Sequence, residues 1–148
     1  MRKKYFLFVL IIVLSVQDAL CRQTVPYKWW NPVESSFPVV QGEGTAGVMI
    51  RFYSKSPEIR VRYTASPGLT RPPATGMSGP DLYAMSRSGQ WEWSPGKYNL
   101  GDTIEYQYTS LKHDFVREYC LYLPYYNPVK WLEIGVPADA RITPLPVS

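Results

Sequence analysis

The chain contains little of what most catalytic and metal centres are built from. Among its 148 residues there are two cysteines and one histidine, His113. That histidine lies between two strand patterns, where a solvated loop side chain is the usual interpretation. Zinc sites require several nitrogen and sulfur ligands at short spacings, and the sequence offers no such group. We therefore expect neither a metal site nor a bound cofactor.

The N terminus has the pattern of an export signal. Three basic residues at positions 2–4 precede the apolar residues 5–16, a run that is too short to span a bilayer comfortably. Ala19 and Cys21 then stand at the −3 and −1 positions of a cleavage site. We predict a signal peptide at residues 1–21 and an exported, periplasmic or secreted, mature chain. The alternative is a lipoprotein anchored through Cys21, although Leu20 is bulkier than such anchoring requires.

The mature chain has the size and charge of one small domain. Its 127 residues suffice for a core that needs no disulfide, and none can form within the chain because only Cys120 remains. We expect Cys120 to be a small buried side chain on a strand. Thirteen basic and eleven acidic residues are spread along the chain without a basic cluster. Neither nucleic acid nor, once the signal is removed, a membrane is predicted as a partner.

Strand patterns dominate the mature chain. Apolar and polar side chains alternate with a period of two over residues 48–53 and 59–63, as a half-buried strand requires. Similar patterns cover residues 81–87, 90–94, 103–109, 115–123 and 130–136. Ser88-Gly89 predicts a tight hairpin with a two-residue loop. Since no segment has a convincing helical period, the predicted fold is all-β, a single-domain antiparallel β-sandwich or jelly roll.

Several short motifs follow one another in a characteristic order. They are Pro-Ala-Thr-Gly at 73–76, Gly-Pro-Asp-Leu-Tyr at 79–83, Trp-x-Trp at 91–93, Arg-Glu-Tyr-x-Leu-Tyr-Leu-Pro at 117–124 and Leu-Glu-Ile-Gly at 132–135. Together they resemble the Gly-x-Asp-Leu-Tyr domain of bacteria. That domain is a β-sandwich that precedes the catalytic domain of certain secreted SGNH, or GDSL-type, hydrolases. The resemblance covers about residues 45–143.

The resemblance implies an accessory domain rather than an enzyme. SGNH catalysis needs a Gly-Asp-Ser-type nucleophile block and an Asp-x-x-His pair, and this chain has neither. We expect residues 22–143 to form the N-terminal sandwich and residues 144–148 to begin a Pro-rich linker toward a catalytic domain missing here. The implied partner is that SGNH domain, to which the sandwich would help present a carbohydrate-linked ester. The alternatives are a free-standing carbohydrate-binding module and a structural fragment of a truncated esterase.

Aromatic side chains are the candidates for binding a polysaccharide, because flat rings stack on the apolar faces of sugars. Trp91 and Trp93 share one face of a predicted strand. Such pairs usually join the core, and we favour that interpretation over an exposed platform. Trp29 and Trp30 precede the predicted strands and, being adjacent, must diverge, so at most one is expected to be buried. The remaining aromatic and amide candidates lie in a turn, at Tyr125 and Asn127.

Asp81 and Tyr83 open one of the strand patterns. The carboxylate of Asp81 can accept backbone N–H groups and so cap the loop before its strand, which is the interpretation we favour. Alternatively, this carboxylate faces a ligand or the catalytic domain, with Tyr83 beside it. Four glutamates within other strand patterns are expected on solvated faces: Glu92, Glu105, Glu118 and Glu133.

Overall fold

The computed structural model describes residues 25–32, 47–65, 79–99, 103–124 and 129–145. Ten strands lie in these segments. They are β1 (Tyr27–Trp30), β2 (Met49–Ser54), β3 (Ile59–Ala65), β4 (Asp81–Met85), β5 (Trp91–Ser94), β6 (Lys97–Asn99), β7 (Ile104–Tyr108), β8 (Arg117–Tyr122), β9 (Val129–Pro137) and β10 (Ile142–Pro144). Each predicted strand pattern coincides with an observed strand to within a few residues, whereas β1, β6 and β10 were not predicted.

The strands form two antiparallel sheets of five strands each. Sheet A has the order β1-β9-β3-β7-β6, and sheet B has the order β10-β2-β8-β4-β5. The chain passes from one sheet to the other at every connection except β4–β5 and β6–β7. This double-sheet arrangement is a jelly roll. The predicted all-β antiparallel sandwich is thus confirmed.

The core lies between the two sheets and follows from the alternation of side chains. Strand β2 buries Ile50 and Phe52 and turns the alternate side chains outward, those of Met49, Arg51 and Tyr53. The ring of Phe52 stacks on Tyr119 of the neighbouring β8, with 5.6 Å between the ring centroids. Strand β3 contributes three inward side chains that retain no exposure to solvent. Burial of these apolar surfaces stabilises the sandwich by about 25 cal/mol for each Å² removed from water.

Trp29 and Trp30 lie within a strand rather than ahead of the strands. In β1, Trp29 pairs with Gly135 and Trp30 pairs with Ile134 of β9. Trp30 turns inward, where its ring meets Phe52 edge-on at 6.1 Å, while Trp29 turns to the outer face. The predicted divergence of the two rings is confirmed. The predicted position ahead of the strands was wrong, because a four-residue strand is too short to show a period.

The hairpin between β4 and β5 is confirmed, but its loop has three residues instead of two. Ser86 N donates to Gln90 O at 2.8 Å, and Gly89 N donates to Ser86 O at 3.1 Å, which leaves residues 87–89 in the loop. Gly89 has a φ of +79°. Three-residue hairpins commonly end with such a left-handed residue, and glycine adopts this conformation at no steric cost.

Strand β10 forms one edge of sheet B. Ile142 pairs with Ser54 and Pro144 with Phe52, and Leu145 N then donates to Arg51 O at 3.0 Å. An edge strand tolerates proline because one side of its backbone needs no partner strand. The other residues of the predicted linker, and the predicted signal peptide, lie outside the described residues.

Candidate functional site

The outer face of sheet B carries an array of exposed aromatic side chains. Strand alternation turns every second residue of β2, β8, β4 and β5 toward this face. Trp93 is 59% exposed, and Trp91 and Tyr122 are each 42% exposed. Cross-strand pairing arranges the outward side chains in rows, of which one consists of Arg51, Cys120, Tyr83 and Trp93. A second row consists of Met49, Tyr122 and Asp81.

A hollow of about 640 Å³ opens on this face. Its volume falls within the range of about 300–1,000 Å³ that is typical of small-molecule sites. The rings of Tyr83 and Tyr122 meet edge-to-face at 5.7 Å, which fixes the orientation of both. The side chains around the hollow combine apolar, aromatic and charged groups and include Met49, Arg51, Asp81, Tyr83, Trp91 and Tyr122.

The carboxylate of Asp81 lies at the hollow and is bound by an indole. Trp93 Nε1 donates to Asp81 Oδ1 at 3.2 Å. Among the described residues, this carboxylate is bound by a side chain and not by a backbone N–H. The favoured interpretation, a cap on the preceding loop, concerns residues that lie outside the described segments apart from Gly79 and Pro80, and it stays a prediction. The bond orients the carboxylate on an exposed face, where its remaining lone pairs can accept further hydrogen bonds.

Among the described residues around the hollow, Arg51 is the cation, and it is paired with a glutamate. Its Nε donates to Glu118 Oε1 at 2.7 Å, and its Nη2 also bonds this oxygen. The hydrogen bonds that Arg51 donates to Glu118 raise the pKa of Arg51 above its ordinary value, so the guanidinium stays charged. Its side chain remains 39% exposed. The pair therefore presents guanidinium donors with little net charge.

Cys120 is buried beneath the hollow, as predicted. Its Sγ lies 3.6 Å from Met49 Sδ. Burial raises the pKa of the Cys120 thiol, with a smaller opposing effect from a hydrogen bond to Tyr122. Because the thiolate is the reactive form, a raised pKa makes this buried thiol less reactive than a free cysteine at neutral pH.

The other predicted site residues are dispersed. Trp91 and Trp93 stand on the exposed face, so the interpretation that they join the core was wrong. Their strand is the edge of sheet B, and its burial pattern is exposed at three of four positions. Trp29 and Trp30 belong to sheet A and do not reach the hollow. Tyr125 and Asn127 lie outside the described residues.

Sequence reasoning missed Met49, Arg51 and Tyr122 as neighbours of Asp81. The signal that could have found them is the alternation of their strands. The buried residues of β2 were evident from this alternation, so the residues between them were expected to face outward. What the sequence did not contain was the register. The order β2-β8-β4 brings residues about 30 to 70 positions apart into one row.

The outer face of sheet A has a different character. Arg62 bonds Glu133 at 2.7 Å from its Nε, and its guanidinium carbon lies 3.8 Å from the ring centre of Trp29. Arg60 bonds Glu58 at 2.8 Å and lies over the ring of Tyr27. Here the rings are covered by cations of the same chain.

Glutamates predicted on solvated faces are all paired with basic side chains. Besides the Arg51 and Arg62 pairs, Glu105 lies 3.6 Å from Arg60, and Glu92 lies 3.3 Å from Arg117. These carboxylates are spaced along different strands of both sheets.

In the segments that the structure describes, no three His, Cys, Asp or Glu side chains could together hold a metal ion. No helix of those segments is long and apolar enough to cross a membrane.

Comparisons with known proteins point to one family. The sequence model described as GxDLY, the N-terminus of esterases of the SGNH hydrolase type, matches residues 40–142. No curated protein matches. The structure is similar to a GDSL-like lipase from Bacteroides ovatus, with 24% identity, a TM-score of 0.66, and coverage of 80% of this chain and 43% of the lipase. A second solved structure is the salicylyl-acyltransferase SsfX3 from a tetracycline biosynthetic pathway, with 21% identity, a TM-score of 0.46, and coverage of 71% and 28%. The chain spans less than half the length of either protein.

Proposed function

Because the chain belongs to the family of domains that form the N-terminus of SGNH-type esterases, we propose that it is a non-catalytic accessory domain. It packs on an SGNH catalytic domain and helps to present the ester substrate to that domain. The partner is the catalytic domain that follows this N-terminal domain in its family. Hydrolysis belongs to that partner.

The surroundings of the single histidine support a non-catalytic role. A hydrolase of this kind needs an imidazole that bonds both a nucleophilic serine and an orienting carboxylate. His113 is exposed on a loop after β7, and its Nδ1 lies 3.1 Å from the carbonyl oxygen of Leu111. That contact occupies Nδ1, the nitrogen to which an orienting carboxylate would bind.

The observation that carries the proposal is the direction of strand β10, the last strand of the described residues. Strand β10 runs along β2 from Ser54 toward Arg51, to which Leu145 is bonded. Its direction leads toward Met49, which borders the hollow on the outer face of sheet B. A domain attached after residue 145 therefore begins beside this hollow.

The chemistry of the same face suits a protein contact around the hollow. Exposed apolar patches that are rimmed by polar groups mark interaction sites. Met49 is 43% exposed and Tyr53 37% exposed on β2, the strand next to the departing chain. Covering them with a second domain would stabilise the pair of domains by about 25 cal/mol for each Å² of apolar surface.

An association experiment tests this proposal. The mature chain is mixed with the SGNH catalytic domain encoded nearest to it, and the dissociation constant is measured by calorimetry. Met49→Asp should weaken association about tenfold or more, because it places an unpaired charge in the contact. Lys97→Asp is the matched control, since Lys97 lies on the edge strand of the opposite sheet. Absence of a complex, or equal losses in the two variants, would contradict the proposal.

A second measurement addresses presentation of the substrate. In the complex, the KM for p-nitrophenyl acetate should be lower than for the catalytic domain alone, while the mature chain by itself should not hydrolyse this ester. Turnover by the repurified chain would overturn its non-catalytic assignment.

We also propose export of the chain, with cleavage before Arg22. The support is the N-terminal pattern of basic start, apolar run and small residues. Mass spectrometry of the chain from its native host should find Arg22 at the mature N terminus. A lipid-modified Cys21 would replace this proposal with membrane anchoring, and an intact Met1 in the cytoplasm would contradict both.

A further inference from the structure

We propose that the hollow on the outer face of sheet B is a binding site for a neutral glycan, in which a sugar ring lies against Trp91 and its hydroxyl groups bond Asp81 and Arg51. All of these groups belong to this chain, so the site needs no residue of a catalytic domain. The inference therefore does not depend on the proposed association with such a domain.

The apolar part of the site consists of rings that are already exposed, one of which is held by a neighbouring ring. Trp91 and Tyr122 each show 42% of their surface to solvent. Tyr122 is fixed by its edge-to-face contact with Tyr83. A sugar presents a face of C–H groups, and flat aromatic surfaces pack against such a face. Rings that need no rearrangement lose little conformational entropy when they bind.

The polar part of the site offers both acceptors and donors, as a hydroxyl group requires. Asp81 has one oxygen bound by the indole of Trp93, and an ionised carboxylate has about four lone-pair sites. Arg51 directs its Nε and Nη2 to Glu118, so that Nη1 can donate to a ligand. Both side chains are therefore oriented by bonds within the protein. A sugar hydroxyl group can donate a hydrogen bond to the carboxylate of Asp81 and accept one from the guanidinium of Arg51.

The charge of the site selects against anions. The charge of Arg51 is balanced by Glu118, whereas Asp81 is bound only by an uncharged indole among the described residues. The hollow is consequently left with the negative charge of Asp81. A uronic acid or a phosphorylated ligand would bring a second negative charge close to it. The preferred ligand is therefore an uncharged sugar.

Binding of defined oligosaccharides tests the inference. The mature chain is titrated with xylotetraose, cellotetraose and mannotetraose, and with tetragalacturonate as the acidic counterpart. At least one neutral probe should bind with a dissociation constant between about 1 μM and 1 mM, a range usual for a single weak site. Tetragalacturonate should bind about tenfold more weakly or not at all. No binding of any neutral probe at 10 mM (roughly ten times that upper limit) would overturn the inference, as would tighter binding of the acidic probe.

Variants distinguish this site from other aromatic surfaces of the chain. Trp91→Ala and Asp81→Asn should each lower affinity for the bound probe about tenfold or more while leaving the melting temperature unchanged. Trp29→Ala is the matched control, because this tryptophan lies beneath Arg62 on the opposite sheet. It should lower the melting temperature and leave affinity unchanged. Loss of affinity in Trp29→Ala with retention in Trp91→Ala would refute the placement. Since these titrations contain no catalytic domain, their failure would leave the proposed association to be judged by its own test.

Discussion

The outer faces of sheets A and B both carry tryptophans and arginines, yet the two faces use them differently. On sheet A, Arg62 bonds Glu133 and also covers the ring of Trp29. On sheet B, Arg51 bonds Glu118 but covers no ring among the described residues, and Trp91 stays exposed. The rings of sheet A are thus engaged within the chain, while those of sheet B remain available to another molecule. Aromatic content alone does not identify a binding face.

A single small residue underlies much of this difference. Gly135 lies opposite Trp29 in the pairing of β1 with β9. A Cβ atom added to Gly135 would stand 2.7 Å from the Cε3 and Cζ3 atoms of that ring. The indole can therefore lie flat on the backbone of β9, beneath the guanidinium of Arg62. Sheet B has no such contact beneath Trp91 in the segments described.

The largest effect is expected where this close contact is broken. Gly135→Ala should lower the free energy of unfolding by about 1–3 kcal/mol, because the added methyl group displaces the ring of Trp29. Urea unfolding measures the loss. In the Trp29→Ala background the same change should cost much less. An equal cost in both backgrounds would show that the ring does not press on this glycine.

Removal of one tryptophan from each face compares the faces directly. Trp29→Ala should lower the free energy of unfolding by about 1–2 kcal/mol, through lost packing and a lost cation–π contact. Trp91→Ala should change it by less than about 0.5 kcal/mol, as is usual for exposed positions. Chemical unfolding of both variants provides the measurement. Similar losses would remove the distinction between a covered and an open ring.

Acid titration is a subtler probe of sheet A. Burial acts to raise the pKa of Glu58, but hydrogen bonds from Tyr27 and Arg60 outweigh it, and the pKa is lowered overall. A lowered pKa stabilises the fold above the unfolded-state value, and this contribution is lost as pH falls through the folded-state value. Glu58→Gln should therefore cost up to about 1 kcal/mol at pH 7 and progressively less below about pH 4. A pH-independent difference between the two proteins would contradict this linkage.

The smallest effect concerns the floor of the hollow on sheet B. Because burial raises the pKa of Cys120, alkylation by iodoacetamide at pH 8 should be slower than that of a free cysteine. Unfolding in urea should remove the difference. Rapid alkylation of the folded chain would show that the hollow reaches the thiol, and it would weaken the view that Cys120 only fills space.

The fold was predictable from the sequence to a large extent, whereas the site was predictable only in part. Period-two alternation located seven strands, and the Gly-x-Asp-Leu-Tyr motifs indicated the family that the comparison confirms. Strands β6 and β10, of three residues each, are too short for a periodic pattern. Short edge strands are defined by the neighbour that they pair with, which local sequence does not encode.

For the site, sequence reasoning proposed Asp81, Tyr83 and Trp91 but favoured structural roles for the first and the last. The error concerning Trp91 has a physical cause. Aromatic pairs at alternate positions join the core when their strand is covered on that side, and β5 is an edge strand whose tryptophans point outward. Which of the two alternating sets of side chains in a strand faces the core depends on the neighbouring strands and on the opposite sheet. Arg51 was missed for the same reason.

The order of strand pairing also has a kinetic consequence. The partner of β1 is β9, so Tyr27 meets Pro137, and the partner of β2 is β8, so Met49 meets Tyr122. During synthesis, neither sheet can be completed until most of the chain has emerged. Closing such long loops before any contact stabilises them makes folding slow, on the order of milliseconds to seconds. The β4–β5 and β6–β7 pairs, which join neighbours in the sequence, are the exceptions, and they are therefore the natural places for folding to begin.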